Sequence, residues 1–74
     1  MTMEQIIERF EQRFPKCKQH LDYVGELYRR FKDDKEYKLA DNKMNEIFGY
    51  LKALEDTEVI SMGDFVLLYN YYTR

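Results

Sequence analysis

Apolar residues recur every three or four positions along most of this chain, which is the spacing of one face of an α-helix. The spacing is lost at Pro15, at residues 33–34 and again before Ser61. These interruptions predict about four helices, over residues 2–14, 16–32, 34–55 and 61–73. The sequence therefore predicts an all-α fold, a compact bundle of short helices, with residues 1–74 forming a single domain.

Each of the first three predicted helices carries one apolar stripe. Thr2 followed by Gln5 resembles a capping box at the first helix, and Pro15 suits the first turn of the second. Gly25 falls on the polar side of the second helix in this pattern. The stripe positions that we expect in the core are Met3, Ile6, Ile7, Phe10, Phe14, Cys17, Leu21, Val24, Leu27, Tyr28, Phe31, Tyr37, Ala40, Met44, Ile47, Phe48, Leu51 and Leu54.

The third helix has two candidate starts. Asp33 is a good N-cap, and Glu36 three residues later resembles a capping box. The alternative start is Asp41, with residues 37–40 as a loop. We favour the earlier start, because the apolar stripe already begins at Tyr37.

The last helix has the strongest start signal. Ser61 is placed as the N-cap with Asp64 at the N3 position, while Ile60 and Phe65 have the spacing of a hydrophobic staple. A strand is the rival interpretation, because this segment is rich in β-forming residues. A single strand would leave its backbone groups unpaired, so the helix is favoured.

The last helix is apolar around nearly its whole circumference. At about 100° per residue, Phe65, Leu68, Tyr69 and Tyr72 share one face, whereas other apolar residues point elsewhere. Either the other helices surround this helix, or it presents a docking surface. Tyrosine is enriched at interfaces, so we also consider tyrosines beside the other stripes. The predicted partner-binding residues are Val66, Leu67, Tyr71, Tyr50, Tyr23 and Leu39.

The size of the chain also favours a partner. A domain of 74 residues buries only about 60% of the surface that its unfolded chain exposes. Cys17 is the only cysteine, so no internal disulfide can form, and a reduced, cytoplasmic setting is expected. We see no secretory signal and no apolar run long enough to span a membrane. A larger protein or a second copy of the chain is the expected source of additional stability.

The sequence shows no persuasive catalytic or metal-binding pattern. Cys17 and His20 lie three residues apart, but a zinc site would need about four ligands, and Cys17 belongs to the apolar stripe. The acidic residues sit on exposed helix faces or at helix starts, as ordinary capping does. No phosphate-binding glycine loop, nucleophile elbow or calcium loop is present. We therefore expect a non-enzymatic protein without a cofactor, a metal or a small-molecule substrate.

A basic cluster on the second helix raises the question of nucleic-acid binding. Lys18, Arg29 and Lys32 share one side of this helix and are candidate phosphate contacts. The sequence pI of about 5.3 argues against nucleic acid as the main partner. Residues 33–58 are acidic, with eight acids against four lysines, which can help to steer a partner.

Residues 51–65 resemble the short helical hairpin called SHOCT. The matching positions are Leu51, Leu54, Asp56, Ile60, Ser61, Asp64 and Phe65, whereas Glu58 stands where that pattern has glycine, and Tyr71 and Tyr72 replace its basic residues. The resemblance implies an interaction or oligomerisation element.

In size and style, the whole chain also resembles the small accessory proteins of phages and mobile elements. Many of those proteins inhibit host defence enzymes. That resemblance implies an inhibitor, for instance of the anti-CRISPR type, and a self-associating helical module is the alternative.

Overall fold

The computed structural model describes residues 2–74, and these residues form four α-helices without a strand. The helices are α1 (Met3–Arg13), α2 (Pro15–Asp33), α3 (Tyr37–Asp56) and α4 (Met62–Tyr72). The all-α prediction is therefore confirmed. No helix within residues 2–74 combines the length and the apolar character that crossing a bilayer requires.

Hydrogen bonds to side chains cap the helices at the two positions with the clearest sequence signals. The Thr2 hydroxyl accepts a bond from the Gln5 backbone N–H at 3.2 Å, and the Gln5 side chain accepts one from the Thr2 N–H at 2.9 Å. The Ser61 hydroxyl accepts a bond from the Asp64 N–H at 3.1 Å. Each hydroxyl accepts a bond from the backbone N–H three residues later, which is the geometry of an N-cap. Both predicted N-caps are therefore confirmed.

The predicted cap at Asp33 is wrong, and so is the alternative start at Asp41. Asp33 is the last residue of α2, and α3 begins at Tyr37 without a side-chain cap. The turn is instead held by backbone bonds, from Glu36 N–H to the Phe31 carbonyl at 2.8 Å and from Lys35 N–H to the Lys32 carbonyl at 3.1 Å. These two bonds form a Schellman motif, which satisfies the last carbonyls of α2.

The same motif ends α3. The N–H of Val59 donates to the Leu54 carbonyl at 2.9 Å, and the N–H of Glu58 donates to the Glu55 carbonyl at 3.0 Å. The motif needs a left-handed residue, and glycine is the usual choice. Here Lys35 and Glu58 take that role, with φ angles of 60° and 62°.

The long helices α2 and α3 pack side by side as an antiparallel pair. His20 near the start of α2 lies against Tyr50 near the end of α3, with ring centroids 4.7 Å apart. Helices α1 and α4 complete the bundle, and an Arg9–Asp64 ion pair of 3.0 Å joins them. One cluster of buried side chains holds the four helices together: Ile6, Phe10, Leu21, Val24, Tyr28, Ala40, Ile47, Leu51, Ile60, Leu68 and Tyr72.

Three residues depart from their predicted environment. Gly25, which the pattern placed on the polar side of α2, is buried beneath the Tyr72 ring of α4. Tyr37 and Phe48, which the pattern placed in the core stripe of α3, are 60% and 45% exposed. Gly25 is buried because the Tyr72 ring of α4 packs on this side of α2, whereas the neighbouring helices cover Tyr37 and Phe48 only in part.

Candidate interaction surfaces

The bundle covers only one side of α4. Leu68 and Tyr72 are buried, whereas Val66 and Leu67 are 47% and 37% exposed and Tyr71 is half-buried. At about 100° per residue, Val66 and Leu67 point to different flanks of the helix. The sequence left two interpretations open, an α4 that the other helices surround and an α4 that presents a docking surface. The exposure of Val66 and Leu67 does not fit the first interpretation.

One flank of α4 joins α3 in a continuous apolar area, which we call the α3–α4 surface (Phe48, Met62, Phe65, Val66 and Tyr69). The Phe48 ring packs edge-on against the Phe65 ring at 5.5 Å and against the Tyr69 ring at 5.8 Å. Phe65 and Tyr69 are stacked at 6.2 Å. Met62 is 65% exposed and lies one turn before Val66, on the same flank. The Nζ of Lys52 lies 5.9 Å from the Phe65 ring centre, at the border of the area.

Of the five members of this surface, only Val66 was predicted from the sequence. Phe65 and Tyr69 were placed on the face of α4 that they share with the buried Leu68 and Tyr72. Phe48 was assigned to the core, although the seven-residue stripe of α3 is wider than one neighbouring helix can cover. Met62 follows the N-cap directly and gave no periodic signal. The exposed fractions of both side chains depend on where α4 crosses α3, which the spacing within one helix does not specify.

The other flank of α4 borders a groove along α1. This α1–α4 groove has a volume of about 590 Å³. Tyr71 is one of its lining residues, and Leu67 lies on the same flank of α4, one turn earlier. The lining residues are Met3, Glu4, Ile7, Glu8, Glu11, Gln12, Tyr71 and Arg74.

The remaining predicted partner-binding residues lie on a different side of the bundle. Tyr50 packs against His20 of α2 and is about 200° around α3 from Phe48, which faces α4. Tyr23 and Leu39 are 62% and 40% exposed, on the same edge of the α2–α3 pair as Tyr50. The six predicted residues therefore do not form one site.

The candidate phosphate contacts on α2 do not form a free basic face. Lys18 donates to Asp22 at 2.7 Å and lies 3.4 Å from Glu11, and the hydrogen bond to Asp22 raises the Lys18 pKa. Lys32 lies 5.7 Å from the Tyr28 ring centre. Arg29 borders a cleft that also contains Asp22, so acidic and basic groups alternate here. The carboxylates of Glu11 and Asp22 neutralise Lys18, so this side of α2 offers little net attraction for phosphate.

Cys17 and His20 belong to a packed side-chain cluster with Tyr50. The interaction with the Cys17 side chain and, to a smaller extent, burial raise the pKa of Tyr50 to about 12. His20 lies 3.9 Å from Glu46, and its side chain is 42% exposed. Within residues 2–74, no group of three or more His, Cys, Asp or Glu side chains is placed to hold a metal ion. The contacts of Cys17 are those of a packing residue between α2 and α3.

Comparison of the chain with known protein families, curated proteins and solved structures gives no match. In the structure, residues 51–65 span the end of α3, the following turn and the start of α4. Their resemblance to a SHOCT hairpin stays a hypothesis.

Proposed function

We propose that this protein is a non-enzymatic interaction module that binds a larger protein through the α3–α4 surface. The observation that carries the proposal is the exposure of Phe48, Met62 and Val66, three large apolar side chains on adjoining helices. Contiguous apolar surface of this kind is typical of binding sites. Fully burying such a side chain contributes about 1.5–3 kcal/mol, so covering three half-exposed ones contributes several kcal/mol to a complex.

The contacts within the surface also favour binding. Phe48, Phe65 and Tyr69 restrain one another through ring contacts of 5.5–6.2 Å. Side chains that are already ordered lose less conformational entropy when a partner docks, and immobilising a free one costs about 0.5–1.5 kcal/mol. Aromatic residues and methionine are also the types enriched in interface cores.

The more specific form of the proposal is an inhibitor from a phage or mobile element that acts on a host defence enzyme, for instance of the anti-CRISPR type. Its support is the resemblance in size and style described above. The proposal includes a cytoplasmic setting, because Cys17 has no second cysteine in this sequence with which to form a disulfide.

The second candidate is a homodimer formed through the same surface. Phe48, Met62, Phe65, Val66 and Tyr69 carry no formal charge, so two copies can face each other without like-charge repulsion. Light scattering at increasing protein concentration distinguishes the two candidates. A molar mass that stays at the monomer value rejects the homodimer. A molar mass that doubles at high concentration for wild type, and stays at the monomer value for the variant described next, supports it.

The test uses a double variant, Met62→Gln with Val66→Ser, and a matched control, Tyr23→Ser, on the opposite edge of the bundle. All three side chains are exposed, so we expect changes within about 0.5 kcal/mol in the free energy of unfolding. Tagged wild-type and variant proteins are incubated with extract of the native host. The proposal expects a protein that wild type and Tyr23→Ser capture and that the double variant loses. If the double variant and wild type capture the same proteins, with neither self-associating, the α3–α4 surface is not a binding site.

A further inference from the structure

The α1–α4 groove combines an apolar floor with one acidic rim. Ile7 and Tyr71 form the floor, and both pack against the buried core. Glu4, Glu8 and Glu11 run along the α1 side. Their spacing of four and three residues places them in one row, with rises of about 6 Å and about 4.5 Å along the helix axis.

The acidic row is largely uncompensated. Glu11 lies 3.4 Å from Lys18, at the far end of the row. Within residues 2–74, no ion pair joins Glu4 or Glu8 to a basic side chain. Like charges four residues apart destabilise a helix by about 0.2–0.5 kcal/mol. A cationic ligand beside α1 would remove this repulsion.

A cation of the chain itself already lies at the groove. The Arg74 guanidinium lies 4.6 Å from the centre of the Tyr71 ring. Tyr71 in turn packs edge-on against Tyr72 at 5.0 Å, which holds the ring in place. The Tyr71 ring therefore accepts a guanidinium beside the groove through a cation–π contact. This contact and the acidic row both indicate that the groove binds positively charged groups.

We propose that the α1–α4 groove binds a basic amphipathic helix of a partner protein. Apolar side chains of that helix pack on Ile7 and Tyr71, and its Lys or Arg side chains face Glu4 and Glu8. A partner helix that lies along α1 carries side chains at the same spacing of four and three residues as Glu4, Glu8 and Glu11. Several charge pairs therefore form at once. The acidic rim disfavours nucleic acid as the occupant. The groove is separate from the α3–α4 surface, so either site can fail its test without the other.

The probe is a fluorescent peptide of about 18 residues, with Leu at helical spacing and Lys elsewhere, which is long enough to form a helix. Its binding to the full chain is followed by fluorescence anisotropy at about 50 mM salt, where screening is weak. We expect the double variant Glu4→Gln with Glu8→Gln to bind about 3- to 10-fold more weakly, because two exposed charge pairs are lost. Both residues are exposed, so the fold is retained.

The control is Asp33→Asn with Asp34→Asn, which changes the net charge by the same amount at the C-terminal end of α2. The proposal expects this control to bind the Leu/Lys peptide as wild type does. Equal weakening by both double variants would mean general charge attraction and would overturn the proposal. A second peptide carries Ser in place of Leu and is expected to bind at least about 10-fold more weakly, because it cannot fill the apolar floor. Equal binding of both peptides, or no binding of the first at low salt, would also overturn it.

Discussion

Gly25 is the position where the packing of α4 on α2 can be tested most directly. A Cβ atom at Gly25 would lie 3.0 Å from Cδ1 of Tyr72. Tyr72 has little freedom to move away, because it is 2% exposed and its hydroxyl donates a 2.8 Å hydrogen bond to Asp22. A methyl group at Gly25 must therefore push the Tyr72 ring against the rest of the core.

Two opposing effects set the magnitude for Gly25→Ala. Alanine in a helix interior is favoured over glycine by about 0.8–1 kcal/mol. Overpacking a filled core costs about 1–3 kcal/mol. Since the ring is held from both ends, we expect the second effect to prevail, with a net loss of about 1 kcal/mol in the free energy of unfolding.

Gly49 supplies a matched control within α3. A Cβ atom there has no neighbour within 4 Å, and the residue is exposed. Gly49→Ala should therefore show the helix preference alone and stabilise the protein by up to about 1 kcal/mol. Urea unfolding followed by circular dichroism measures both variants. In a domain of this size, 1 kcal/mol corresponds to about 4–8 °C in Tm, so the two variants should move Tm in opposite directions.

Stabilisation by Gly25→Ala equal to that by Gly49→Ala would contradict this expectation. It would show that Tyr72 yields without cost and that the close approach of α2 and α4 is not a constraint. A loss in Gly25→Ala that persists after Tyr72→Ala would also contradict the reasoning, because the clashing ring would then be absent.

Two further predictions concern the α2–α3 turn and the buried tyrosine. Lys35 has a φ of 60°, a left-handed conformation that glycine adopts at lower cost. Lys35→Gly should therefore raise the free energy of unfolding, measured in urea, by up to about 1 kcal/mol. An unchanged or lower value would contradict the Schellman geometry. Burial and the hydrogen bond to Asp22 raise the pKa of Tyr72, so the folded state holds the phenol proton more tightly than the unfolded state. This stabilisation is complete below about pH 10 and is lost as the pH rises further, by at most about 1.4 kcal/mol per pH unit. Unfolding titrations between about pH 8 and 11 should show a shallower decline for Tyr72→Phe than for wild type, and equal slopes would contradict the assignment.

Local sequence signals accounted for the number of helices and for the N-caps at Thr2 and Ser61. Each of these features depends on hydrogen bonds or apolar spacing within about four residues, so adjacent residues determine it. The turn after α2 shows the limit of such signals. Asp33 has the residue type of an N-cap, but it is the last residue of α2, whose end is closed by backbone bonds to the Phe31 and Lys32 carbonyls. Capping preference is worth only about 1 kcal/mol, so the Schellman motif can outweigh it.

The apolar character of Val66, Leu67 and Tyr71 around α4 was readable from residue spacing alone. The spacing did not show that Val66 would join Phe48 and Met62, nor that Tyr71 would border the groove along α1. It also did not separate these residues from Tyr23, Leu39 and Tyr50, which lie across the bundle. Two side chains on different helices become neighbours only through the angle and position at which the helices cross.

The helices of this protein follow from short-range preferences, whereas its surfaces follow from the placement of α4. That placement depends on contacts between residues about 50 positions apart, such as Tyr72 with Asp22 and Asp64 with Arg9. The burial of Gly25 and the ring contacts of Phe48 with Phe65 and Tyr69 both follow from where α4 packs. Helix–helix packing admits several crossing angles, and the complementarity of all four helices together selects among them.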